Sequence, residues 1–160
     1  MGAFFAEYAR IILFVHVFFA ITWIGGMIAI RFTLHPALSV IDDISKRLEL
    51  NIAVLNRFFL MISTAIVFIG ITGIIMMLGI GFKTVPFLYM VVHIKSQIWM
   101  LMAVIYGVIY FKFTKAKKLF ELGDIEATKK TLAPLAKWLI PTNIFLGLIE
   151  VMLGIVLRGY

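Results

Sequence analysis

The 160-residue sequence contains no cysteine. That absence excludes a disulfide framework, a thiolate-held metal centre and a covalently attached c-type haem, which needs a C-x-x-C-H sequence. Charge is also scarce, with Asp, Glu, Lys and Arg together making up 14% of the chain against 63% hydrophobic residues. A soluble domain of this length has too little interior to bury so much apolar surface, so the chain belongs in a membrane. Acidic residues are the rarer sign, 8 against 15 basic, which leaves a net charge of +7. The basic residues fall between apolar runs, not among aromatics along a groove, so the charge is a membrane signature and nucleic acid is not an expected partner. No glycine-rich phosphate loop, hydrolytic triad or zinc spacing is present. Any catalysis is therefore expected to be redox or proton transfer.

What the chain does have is four apolar runs, each long enough to cross about 30 Å of hydrocarbon as a helix. They are Ile11 to Ile30, Phe58 to Ile80, Pro86 to Phe111 and Trp138 to Leu157. They are too continuously apolar for strands of a barrel, which alternate. The expected fold is all-α: one domain over residues 1–160, a four-transmembrane-helix bundle with short amphipathic interfacial segments. Glu7 and Arg10 cancel the charge at the N-terminus and the first run exceeds a signal-peptide core, so it reads as a retained helix.

Between the first two runs, Pro36 ends a helix, and Asp42 or Asp43 caps an amphipathic segment that leads into the second run. The third helix is expected to continue through the lysine-rich FKFTKAKKLFEL to Gly123. Asp124 then caps a short surface helix, and Pro134 separates it from the fourth run. These segments lie on the bilayer, with membrane lipid as the partner of the lysines. The first and third connections carry Arg31, Lys46, Arg47, Arg57, Lys112, Lys115, Lys117, Lys118, Lys129, Lys130 and Lys137; the opposite side carries Arg10, Lys83 and Arg158. Cytoplasmic loops carry the excess, so the count puts loops 1 and 3 in the cytoplasm and both termini outside a bacterial inner membrane.

With that topology, ionisable residues inside the runs can be placed by depth. His16 lies six residues past Arg10, His93 ten past Lys83 and Glu150 eight before Arg158. These offsets correspond to roughly 9 to 15 Å along a helix. Three helices therefore carry an ionisable group at one level in the outer half of the membrane, where such groups face the bundle interior and mark a site. His16, Ala20, Trp23 and Met27 form one stripe of helix 1, and Asn143, Gly147, Glu150 and Gly154 form one of helix 4. The helix-4 stripe, small and polar, admits another helix or a flat ligand at close range. Ser63, Gly70 and Gly73 put helix 2 on the same interior.

On helix 3, His93 and Lys95 point about 200° apart. We read His93 as facing inward with Gln97 and Met100 below it, and Lys95 as reaching the outer interface; the alternative pairs Lys95 with Glu150. Two histidines at matched depth suit the axial positions of haem b, with Trp23 and Gly26 beside the macrocycle and Arg10, Lys83 or Lys95 on its propionates. The bland reading is that each histidine simply hydrogen-bonds a neighbouring helix. His35 reads as interfacial. Met76, Met77, Met90, Met100 and Met102 admit a copper reading through soft thioethers, although methionine is also a common core filler. Lys95 and Glu150 are the candidates for proton transfer.

These residues resemble a known group. His16, Trp23, Gly26 and Arg31, then His93-Ile94-Lys95 and Pro141-Thr142, are similar to HemJ-type protoporphyrinogen oxidases, while WIGG and IRFTLHPAL look more like CopD-type copper-resistance membrane proteins. The resemblance implies a four-helix inner-membrane protein with haem b on His16 and His93, Lys95 functional, and oxidation of a porphyrin substrate with electrons passed to quinone. A copper-handling permease is the alternative that it implies. A proton-coupled carrier centred on Glu150 and Lys95, acting as a homo-oligomer, is a third reading.

Overall fold

The computed structural model describes residues 2–80 and 85–158. The protein is an all-α, four-helix membrane bundle, and its long helices are apolar enough to cross a bilayer. The elements are α1 (Gly2–Ala29), α2 (His35–Leu38), α3 (Ile44–Ile80), α4 (Pro86–Glu121), α5 (Ile125–Pro134) and α6 (Ile140–Arg158), and no strand occurs among the described residues. Two π-helical turns, Ile30–Leu34 and Leu135–Leu139, join α1 to α2 and α5 to α6.

Both π turns end two residues before a proline, Pro36 or Pro141. A proline ring in a regular α-helix collides with the carbonyl four residues back and gives it no N–H. The wider turn answers this locally, with the His35 N–H reaching back to the Ile30 carbonyl and the Ile140 N–H to that of Leu135. The chain also passes Pro134 without a break, and the surface helix α5 runs into the membrane helix α6 where a separation was expected.

The expected caps are present elsewhere. Asp43 accepts the backbone N–H of Ser45 at 2.9 Å, and Asp124 accepts that of Ala127 at 2.9 Å. Between α4 and α5 the chain turns at Gly123, whose φ of +80° is the left-handed conformation that ends a helix. The amphipathic segment after Asp43 is continuous with the second membrane helix, and the third helix extends to Glu121, well past its apolar part.

Helix α1 packs on α3 and α6, and α4 packs on α3 and α6, which closes a ring of four with α5 laid against α4. The core between them is apolar, centred on Trp23, Phe59, Ile62, Met102 and Ile109. The outward faces are apolar as well, with Phe14, Ile21, Leu60 and Ile155 all exposed. A helix apolar on every side is stable only where its outer face meets hydrocarbon.

Glycines set the helix spacing. A Cβ on Gly26 would lie 2.6 Å from the Phe58 ring, and one on Gly147 would lie 2.7 Å from Ile24. The absent side chains let α1 approach α3 and α6 closely, which is how helices associate where no hydrophobic drive separates them from lipid.

Candidate functional site

Four helices each bring one polar side chain to the same region: His16 from α1, Thr72 from α3, Lys95 from α4 and Glu150 from α6. Lys95 Nζ donates to Glu150 Oε2 at 2.7 Å and to the Glu150 backbone carbonyl at 2.7 Å. Both side chains are largely shielded, with 21% and 16% of their surface accessible. The second carboxylate oxygen, Oε1, is buried without a hydrogen-bond partner among the described residues. Gly154, one turn beyond Glu150, leaves room beside the ammonium: its missing Cβ would sit 3.8 Å from Nζ.

His16 Nδ1 lies 2.8 Å from Thr72 Oγ1. The threonine hydroxyl has one proton, and it is directed to the Phe68 carbonyl at 2.6 Å. His16 therefore donates from Nδ1, which assigns the neutral ring its tautomer and leaves Nε2 with a free lone pair. A hydrogen bond that fixes one ring nitrogen so that the other can bind or accept is the usual support of a histidine ligand or base. Lys95 is close enough for its charge to act on the His16 ring. Together the groups form an acid–base cluster inside the bundle: a bare imidazole nitrogen, an ammonium and a carboxylate with one free oxygen.

The inward reading of His93 is corrected by the structure. His93 is exposed on the outer face of α4, its ring edge-on to Tyr89 at 4.3 Å, and Gln97 and Met100 share that face. The alternative orientation holds, with Lys95 inward on Glu150. The physical reason lies in the two side chains. A lysine costs about 2.5 to 3.5 kcal/mol at mid-membrane on insertion scales, so it takes the side that offers a carboxylate and a backbone carbonyl with a spare lone pair. An imidazole set edge-on to a tyrosine ring tolerates the lipid side.

That orientation also decides how the residues fit haem b. His16 and His93 do not face each other across a slot, so a bis-histidine site within one chain does not fit. What His16 offers such a group is one ring nitrogen, Nε2, since Nδ1 is engaged by Thr72. Gly26 is filled by Phe58, and Trp23, 2% exposed, packs edge-on to Tyr106 at 6.4 Å, so both belong to helix packing and neither borders an open slot. Arg10 is exposed on α1, while Lys83 lies outside the described residues. His35 is exposed beside Pro36, remote from the cluster in sequence and on the α2 side of the bundle.

The copper reading needs thioethers and imidazoles that converge. Met77, Met90 and Met100 are exposed, whereas Met102 is in the core against the Gly147 position. Among the described residues, no three His, Asp or Glu side chains come together as a metal-binding group.

Two polar features escaped the sequence reading. Thr72 carries no charge and so falls outside a count of ionisable groups, although it lies eight residues before Ile80, just as Glu150 lies eight before Arg158. Counting depth for hydroxyls as well as ionisable groups would have found it. Tyr106 Oη bonds Ser63 Oγ at 2.7 Å and donates to the Phe59 carbonyl at 2.8 Å, a second polar link inside the core. Comparison of the chain with protein-family models, curated proteins and solved structures finds no match.

Proposed function

We propose that the protein is a bacterial inner-membrane redox protein whose working centre is the cluster of His16, Lys95 and Glu150. The single observation that carries this reading is the Lys95–Glu150 pair at 2.7 Å within the bundle, beside a histidine whose Nε2 is left free. Groups that exchange protons are expensive in a membrane and are retained where they move charge or hold a polar substrate. Oxidation of a porphyrinogen-type substrate releases protons with its electrons, and reduction of a quinone takes both up. In either case the reacting molecule needs a base and an acid within the bilayer.

In this reading His16 Nε2 binds or accepts, oriented by Thr72, and Lys95 anchors Glu150 so that Oε1 faces the incoming proton. Lys95 also offers a cation to a carboxylate or quinone oxygen of the substrate. Haem b, implied by the likeness to HemJ-type proteins, would be held from this chain by His16 and would supply one-electron chemistry. The charge count between the helices supports both termini outside and loops 1 and 3 in the cytoplasm.

The test is the absorption spectrum of the detergent-purified protein, oxidised and dithionite-reduced. A Soret band with sharp reduced α and β bands is expected in the wild type and in His93→Ala, and is expected to disappear in His16→Ala. Lys95→Met should keep the bands and lose electron transfer to a quinone analogue. A colourless protein carrying stoichiometric copper would replace this reading with the CopD-like one. Loss of the bands in His93→Ala alone would overturn the choice of His16.

A further inference from the structure

A groove of about 660 Å³ lies between α4 and α5, away from the polar cluster. Along α4 its wall changes character within three turns. Val104, Gly107 and Phe111 come first, followed directly by Lys112 and Lys115, at helical spacings that put all five on one stripe. Val104 is 58% and Phe111 72% exposed, so this part of the wall faces hydrocarbon. Gly107 forms the floor: a Cβ there would meet nothing within 4 Å. From across the groove α5 contributes Lys130. The lysines therefore sit at the level where the apolar run ends, directly above an open apolar trough.

No acidic side chain lines this groove, and none of its three lysines pairs with a carboxylate among the described residues. A second hollow, between α3 and α4, differs in this respect. It is about 330 Å³, and its lining includes a carboxylate, Glu49, along with Arg57 and Lys117, so its net positive charge is smaller. Of these two hollows, the α4–α5 groove is the one that combines lysines facing no lining carboxylate with an apolar floor.

We propose that the α4–α5 groove binds one anionic phospholipid, its phosphate held by Lys112, Lys115 and Lys130 and its upper acyl chain lying over Gly107. The two halves of the wall call for an amphiphile: a free phosphate would leave the trough unfilled, and a soluble peptide would not reach it in the bilayer. The absence of a carboxylate selects a headgroup with net negative charge. A choline or ethanolamine headgroup brings its own cation, which the groove has nothing to receive. Juxtamembrane lysines attract anionic lipid at any exposed position, each by roughly fivefold in affinity. The groove adds a fixed geometry for the chain.

Native mass spectrometry of the full chain, released from nanodiscs containing equal phosphatidylglycerol and phosphatidylcholine, tests this. The wild type is expected to retain one phosphatidylglycerol in preference to phosphatidylcholine by roughly fivefold or more. Lys112→Gln/Lys115→Gln/Lys130→Gln should abolish the preference. Gly107→Leu, which keeps every charge and fills only open space, should abolish retention as well. Arg57→Gln/Lys117→Gln, in the second hollow, should leave it unchanged. Circular dichroism and size-exclusion profiles confirm that each variant is folded. Retention of the lipid by Gly107→Leu, or equal loss in the second-hollow variant, would show diffuse electrostatics and overturn the site. Displacement by inorganic phosphate at equal concentration would overturn the lipid in favour of an anion site.

Discussion

Lys95 Nζ holds Glu150 at two points, the carboxylate at 2.7 Å and the backbone carbonyl at 2.7 Å, so one ammonium ties α4 to α6 inside the membrane. The carbonyl bond is the less obvious half. In a regular helix that oxygen is already accepting an N–H, and its remaining lone pair is what lets the lysine be satisfied without water. The pair thus has a structural role as well as the proposed chemical one, and the two roles are separable by experiment.

Removing one partner leaves a charged or hydrogen-bonding group without its complement. Lys95→Met and Glu150→Met are each expected to lower stability by about 1 to 3 kcal/mol, measured by thermal or denaturant unfolding in detergent. The double variant Lys95→Met/Glu150→Met, with no charge left to bury, should recover most of that loss. Electron transfer to quinone should be lost in all three. A double variant as unstable as the sum of the singles would show that the pair does not act as a unit.

Thr72 makes a separate prediction, because its hydroxyl is the reason Nδ1 of His16 carries the proton. Thr72→Val keeps the shape and removes this acceptor from a part-buried ring N–H, at a cost of about 1 kcal/mol. Nitrogen-15 NMR of labelled histidine should show a single Nδ1-protonated ring for His16 in the wild type and a mixture of tautomers in Thr72→Val. Thr72→Ser should restore the wild-type pattern. An Nε2-protonated ring in the wild type would remove the free lone pair on which the role of His16 rests.

The fold was legible because burial in a membrane leaves a coarse signal, about twenty apolar residues at a time, and each of the four runs carries it. The caps at Asp43 and Asp124 were legible for a similar reason, since an aspartate ahead of an apolar stretch has one local use. Depth was legible too: His16 and Glu150 do belong to one cluster. The facing of helix 3 was not. With His93 and Lys95 on opposite sides of α4, periodicity allows either to point inward, and only the position of Glu150 on a different helix decides between them. The same limit applies to Gly26 and Gly147. A glycine on an interior stripe marks a close approach, but whether a ring, a ligand or a neighbouring helix fills it depends on the partner, here Phe58 and Ile24.

That distinction can itself be tested. If Gly26 and Gly147 are spacers between helices, then enlarging them disturbs the bundle, because a Cβ on Gly147 would lie 2.7 Å from Ile24 and 3.3 Å from Met102. Both neighbours are buried and have little room to move. Gly147→Val is expected to destabilise the protein by about 1 to 3 kcal/mol, the usual range for overpacking. Gly107→Ala, on a helix face with nothing within 4 Å, should be neutral or slightly stabilising, since alanine favours the helix by about 1 kcal/mol over glycine. The readout is the unfolding midpoint of each variant in one detergent. A Gly147→Val protein as stable as the wild type would mean that α1 and α6 are not held at glycine distance, and the helix-4 stripe would be open to a flat ligand after all.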